Sequence, residues 1–245
     1  EIMDIIRNVE GTLDIITQNP DTRDKIDINS DENFPAASII KIPVLIEAFR
    51  QSIEGHLNLN EPITLRDEDK VGGIGILKDL STSIHLPFID TLTPNDNYSD
   101  NTPANITIEK VGMKNVNDYM KQLGLKHNTP KKTMDFEARK RGLDNSTTPR
   151  DITIPPTENH TKPRKLRNND RIPKYLPENI PIAHKTGELS GVRHDIGIVY
   201  TEKHPFIISA MTKTERPTQP KKGGGAGSEA ITKIAKKVYD TLTST

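Results

Sequence analysis

The first residues with chemistry in them are a serine and a lysine three positions apart, Ser38-Ile39-Ile40-Lys41, inside the run Phe34 to Arg50. The run is apolar on nearly every face. It predicts a buried helix with Pro35 at or just before its start, where a missing N–H costs little. Pro43 fits such a helix only within the first turn or at a bend. Residues three apart on a helix are neighbours, so Lys41 projects beside Ser38 and pairs an amine with a hydroxyl. An ordinary lysine, with a pKa of about 10.4, is protonated and no base. Apolar surroundings and a second cation, for which Lys185 is the candidate, both disfavour that charge and would let Lys41 take the Ser38 proton. A helix that starts with serine and carries a surface lysine would spell the same letters. Ile39, Ile40, Ile42 and Val44 argue against a simply solvated ammonium.

Two more polar triplets follow in the chain. Ser99-Asp100-Asn101 offers a second hydroxyl and a side-chain amide, placed on a loop between helices or at a polar helix cap. Lys185-Thr186-Gly187 lies within Ile182 to Leu189, which reads as a strand, with Val192 to Tyr200 and Phe206 to Met211 as two further antiparallel strands. An edge strand can offer the backbone N–H of Glu188, and the helix N-terminus that of Ser38. Two such donors make an oxyanion hole, worth about 3 to 4 kcal/mol per donor in a transition state. Lys185 and Thr186 would attract a substrate carboxylate, with Gly187 leaving room for it. Arg193 is a second carboxylate anchor or a solvated strand-end arginine. Asp195 reads as structural.

S-x-x-K, S-D-N and K-T-G in this order resemble the motif set of the penicillin-recognising serine hydrolases, class A β-lactamases among them. The resemblance covers most of the chain and implies a serine hydrolase that opens a β-lactam through an acyl-enzyme on Ser38. It implies that Ser99 relays the proton to the leaving nitrogen, that Asn101 hydrogen-bonds the substrate amide carbonyl and that Asp100 holds the loop. Val71 to Leu77 is similar to a family loop bordering the cleft, though it also reads as a plain turn. Class A enzymes place a deacylating glutamate on an omega loop within E-x-x-L-N, a pattern absent here. Thr147-Thr148-Pro149 is similar to that loop's end, which makes the loop short and Glu137 the first choice of base, with Asp135 second. A solvated Glu137 paired with Arg139 or Arg141 is the alternative. Without a carboxylate at the ester, the same site would be a D-Ala peptidase, an esterase or a penicillin-binding sensor that deacylates slowly.

Composition narrows the partners. Thirty-four basic residues balance thirty-four acidic ones among 245, so no nucleic acid or anionic membrane surface is expected, and the partner is a small β-lactam or peptidoglycan-like molecule. There is no cysteine, and the seven histidines show no H-x-H or H-E-x-x-H pair, so neither metal nor cofactor is expected. The glycine run at 223–227 lacks the P-loop lysine and reads as a turn. No apolar stretch approaches the length of a membrane span, and the first twenty residues are not a signal peptide. The resemblance implies a secreted or extracytoplasmic protein, and a monomer is expected.

The elements that must position these residues point to an α/β protein of the α+β type with two lobes. Glu1 to Glu10 reads as a helix, Thr12 to Thr17 and Lys25 to Asn29 as strands, and Ala230 to Leu242 as an amphipathic helix. An antiparallel sheet built from both termini would form one lobe (1–34 and 178–245), and an inserted all-helical lobe the other (35–177), with the site in the cleft between. Only 32% of residues are hydrophobic and 4% aromatic, and the deficit is local, in Thr91 to Tyr98 and Thr153 to Asn169. Burying an unpaired polar group costs about 1 to 3 kcal/mol. Several together would unfold the protein, so these stretches are expected to carry Thr where Val belongs and Asn or Asp where Leu does, an expectation that solvated or hydrogen-bonded side chains would remove.

Overall fold

Both ends of the chain supply β-branched runs that pair with each other. The computed structural model describes residues 1–72, 75–97, 100–125, 145–153, 169–214 and 225–244, with 93–97 as backbone alone. It divides into two compact units, Glu1–Ile39 with Thr147–Thr245, and Ile40–Ser146.

The first unit holds a five-stranded antiparallel sheet. Its strands are β1 (Thr12–Gln18), β2 (Lys25–Ile28), β3 (Ile182–Leu189), β4 (Val192–Val199) and β5 (Phe206–Lys213). They are ordered β2-β1-β5-β4-β3, so the N-terminal hairpin joins the C-terminal meander through the β1–β5 ladder, from Thr12↔Lys213 to Gln18↔Ile207. Alternation sends Leu13 and Ile15 of β1 to one face, against Phe206, Ile208 and Ala210 of β5. Helix α6 (Gly225–Thr243) covers that face with Ile231, Ile234, Ala235 and Val238, all buried, and Ile2, Ile5 and Ile6 of the short α1 (Ile2–Arg7) pack at its edge. Fully burying each large aliphatic side chain contributes about 1.5 to 3 kcal/mol. The glycine run differs from its reading as a turn, because α6 begins at Gly225.

The second unit packs helices α2 (Lys41–Ile53), α3 (Phe88–Asn97), α4 (Asn101–Val111) and α5 (Met113–Gln122) around Val44, Ala48, Phe88, Leu92, Ile108, Val111 and Val116. It also carries a small ladder, Pro62–Thr64 against His85–Pro87. The fully buried Glu47 of α2 is held by Arg50 at 2.7 Å and Gln51 at 2.7 Å, and Gln51 donates onward to the Val111 carbonyl at 2.8 Å. Thr91, in one of the two polar stretches, is buried and donates its hydroxyl to the Phe88 carbonyl at 2.8 Å, which removes the cost of its burial. No described helix is long and apolar enough to cross a membrane.

Candidate active site

The expected long helix from Pro35 resolves into three pieces. Phe34–Pro35 is extended, Ala37–Ile40 is a 3-10 turn, and the α-helix starts only at Lys41. Pro43, as its third residue, therefore falls in the first turn, where no intrahelical N–H bond is lost. Ala37 takes a left-handed conformation at φ 49°, a backbone strain that a non-glycine residue adopts only when its surroundings impose it. Ser38 follows at once. It is the one partly exposed residue between buried Ala36 and Ala37 on one side and buried Ile39, Ile40 and Lys41 on the other. Ser38 and Lys41 thus lie three residues apart across the join of the 3-10 turn and α2.

Strand β3 lies against this turn. A Cβ at Gly187 would come within 3.1 Å of Ile39 Cγ2, 3.3 Å of Ala37 Cβ and 3.4 Å of the Ala36 carbonyl, so the absent side chain is what lets the strand close onto the Ser38 turn. The space assigned to substrate at Gly187 thus has a second use. Lys185 and Thr186 are buried, and the Lys185 ammonium donates to the Thr186 carbonyl at 3.1 Å. Arg193 folds back onto the hairpin, its NH1 donating to the carbonyls of Leu189 and Val192, both at 2.7 Å.

A set of buried polar groups around the strand had no motif to announce it. Arg171 is wholly buried and donates to Ser228 Oγ at 3.1 Å, to the His194 carbonyl at 3.1 Å and to the Glu188 carboxylate. Asp195 does the structural work assigned to it. It receives the Ile172 N–H at 3.0 Å and faces His184 Nδ1 at 2.9 Å, which ties the strand bearing Lys185 to its neighbour. Only spacing across β3 and β4 could have hinted at this, since His184 and Asp195 lie on adjacent strands.

The second unit holds the amine. Lys41, 1% exposed, donates to the Asp100 carbonyl at 3.1 Å and to Asn101 Oδ1 at 3.0 Å. Asn101 Nδ2 in turn donates to the Gly72 carbonyl at 3.1 Å. Asn101 is the first residue of α4 rather than part of a loop, and Asp100 is its N-cap, accepting the Thr102 N–H at 3.0 Å. The other Asp100 oxygen takes the N–H groups of Ile76 at 2.7 Å and Leu77 at 2.9 Å. Asp100 therefore holds Ile76 and Leu77, and the Val71 N–H bonds Thr102 Oγ1 at 3.1 Å, while residues 73–74 of this stretch lie outside the described residues. A Cβ at Gly75, whose φ is 146°, would fall 2.1 Å from Asp100 Oδ1. Ser99, Asp135 and Glu137 lie outside the described residues.

Comparisons with known proteins follow the same lines. The family model described as the beta-lactamase enzyme family matches residues 1–154 and 164–242. Beta-lactamase VEB-1 of Pseudomonas aeruginosa is 19% identical over 243 residues, spanning 88% of this chain and 81% of that protein. Among solved structures, a β-lactamase from Sphaerobacter thermophilus DSM 20745 superposes with a TM-score of 0.83 at 24% identity, covering 100% of this chain and 97% of the other. PBP-A superposes with a TM-score of 0.86 at 23% identity, covering 100% and 95%. A PBP-A mutant described as an acyl-enzyme complex with penicillin G matches at 24% identity with a TM-score of 0.85, over 100% and 95% of the two chains. With the family model running over nearly its whole length, the chain belongs to the beta-lactamase enzyme family, a family of hydrolases.

Proposed function

We propose that the protein is a serine β-lactamase of the class A type, working through an acyl-enzyme on Ser38. The observation that carries this reading is the setting of Ser38: a lone partly exposed hydroxyl on a strained turn, backed by the Lys185-Thr186-Gly187 strand and followed one turn later by a buried amine. In this reading the Lys41 amine takes the Ser38 proton as Oγ attacks the lactam carbonyl. The N–H groups of Ser38 and Glu188 hold the oxyanion. The C–N bond then breaks as Ser99 delivers a proton to the leaving nitrogen. Lys185 and Thr186 receive the substrate carboxylate, with Arg193 at the hairpin turn as a second anchor. Asn101 offers an amide N–H to the substrate's side-chain carbonyl while its oxygen keeps Lys41 in place. Glu137, or Asp135, activates the water that hydrolyses the ester and returns Ser38. The substrate is a small β-lactam, the enzyme acts as a monomer outside the cytoplasm, and the chemistry needs no cofactor.

A second reading, a D-Ala peptidase, an esterase or a sensor that deacylates slowly, is favoured by the likeness to PBP-A, one form of which is described as a penicillin acyl-enzyme. One experiment separates them. With excess chromogenic cephalosporin, many turnovers per molecule and no lasting adduct mark a lactamase. One turnover and a stable mass increase on Ser38 mark a binding protein or sensor. Neither turnover nor an adduct on Ser38 would overturn both lactam readings, and cleavage of simple esters would then leave the esterase.

A further inference from the structure

His194 stands on β4 directly opposite Gly187 of β3, so the imidazole and the missing side chain share one face of the sheet. That face is where the Ser38 turn comes in. Gly187 is the hollow into which Ala37 and Ile39 fit. Beside it, His194 Nε2 lies 2.8 Å from the Pro35 carbonyl, and Nδ1 lies 3.3 Å from the Thr212 backbone N–H. A carbonyl can only accept and an N–H can only donate, so the ring is neutral with its proton on Nε2. Burial agrees, pushing this imidazole down to about 4. The ring also meets Phe34 edge to face at 5.7 Å, and the Lys213 ammonium lies 4.8 Å from the centre of the Phe34 ring. One imidazole thus grips the backbone and the side chain of the two residues that lead into the strained Ala37.

We propose that His194 is a positioning residue for Ser38: with its neutral Nε2–H on the Pro35 carbonyl, it hangs the nucleophile turn from the sheet at the hollow left by Gly187. The hydrogen bond fixes where the chain enters the turn, and the close contact at Gly187 fixes where it leaves. Ala37 is held at that contact and Ser38 lies between it and Ile39, so the turn is pinned on both sides of the nucleophile. The proposal rests on Ser38 being the nucleophile, but the turn's attachment can be measured without any substrate.

The test uses two variants and the unaltered protein. His194→Phe keeps the ring against Phe34 and removes the donor, whereas His194→Gln returns a donor near the Nε2 position. The rate constant for Ser38 acylation by benzylpenicillin is followed by intact mass and normalised to the fraction that becomes acylated, so that misfolded protein does not count. His194→Phe is expected to slow acylation about 30-fold, and His194→Gln to stay within about threefold of the parent, since small misplacements of a reacting group have effects of this size. Amide exchange at Ala36 to Ile39 should quicken in His194→Phe and recover in His194→Gln. Equal acylation and exchange in both variants, whether parental or impaired, would overturn the proposal, because packing alone would then account for the ring. If the parent protein is never acylated, the reading of Ser38 fails while the exchange comparison still decides the role of His194. The parent itself supplies a check that needs no variant: its His194 nitrogen shifts at pH 6 should show the neutral Nε2–H tautomer, and an imidazolium or the Nδ1–H tautomer would end the idea.

Discussion

The two units secure their shares of the candidate site by different means. Around Ser38 and β3 the anchors are buried ionisable side chains: Arg171 on Glu188, the His184–Asp195 pair, and His194 on Pro35. Around Lys41 a backbone carbonyl and a side-chain amide accept its protons, and the Asp100 carboxylate is wrapped by backbone N–H groups. A strand has no free backbone groups to spare for a neighbour across its face, so side chains must do the holding there. A helix start has unpaired N–H groups in plenty, so a single cap can gather a loop onto it.

The contrast is most sharply tested by removing the amine. Lys41→Met should lower Ser38 acylation about 10³-fold while the protein stays folded, the range expected for losing a general base. Acylation within tenfold of the parent would detach the second unit from the chemistry.

Next in size is the cap. Asp100→Ala leaves the N–H groups of Ile76, Leu77 and Thr102 without their acceptor, and should cost about 3 kcal/mol in urea unfolding. Asp100→Asn keeps one oxygen and should lose about half as much. Equal losses would mean that charge rather than backbone capping secures the loop.

The first unit should show its ionisable construction as a pH dependence. Asp14 of β1 is 1% exposed, and its Oδ2 has no hydrogen-bond partner among the described residues. Burial raises its pKa to about 6, against the opposing bond from Asn29. The folded form then holds a proton that the unfolded chain has released, so stability falls as pH rises from about 4 through about 6. His194 runs the other way: burial depresses it, and stability is lost as pH falls from about 6.5 towards about 4. Asp14→Asn should therefore raise stability at pH 8 by about 2 kcal/mol, with the gain holding down to about pH 6 and shrinking from there towards pH 4. A gain independent of pH would show that Asp14 is not the titrating group.

The smallest effects concern threonine. Thr107, fully buried, returns its hydroxyl to Pro103 of its own helix at 2.7 Å, as Thr153 does to Pro149 and Thr232 to Ser228. Thr107→Val removes a bond whose acceptor is already used by the helix, and should be neutral or stabilising by up to about 1 kcal/mol. Thr102 differs, because its oxygen receives the Val71 N–H. Thr102→Val should cost about 1 to 2 kcal/mol in thermal or urea unfolding.

These threonines bear on how much could be read before the fold was known. The polar stretch from Thr91 looked incompatible with burial when each residue was counted as polar. A helix offers each threonine a carbonyl one turn back, and that exchange is invisible in composition. Strand identities and the antiparallel meander were legible because β-branched alternation is local. The break between Pro35 and Lys41 was not, since nothing in Ala36-Ala37-Ser38 by itself calls for a left-handed alanine.

By itself the order of residues determined the family and the sheet with helices around it, and it put forward Ser38, Lys41, Asn101 and Lys185 as the first candidates for the site. Those depend on residue types at short spacings, where covalent geometry leaves few choices. Tertiary structure alone decided that Gly187 receives Ala37 and Ile39, that Asp100 gathers Ile76 and Leu77, and that Arg171 and His194 are wholly buried. Each joins residues distant in sequence, and a contact of that kind exists only once the chain has closed around the groups that must satisfy one another.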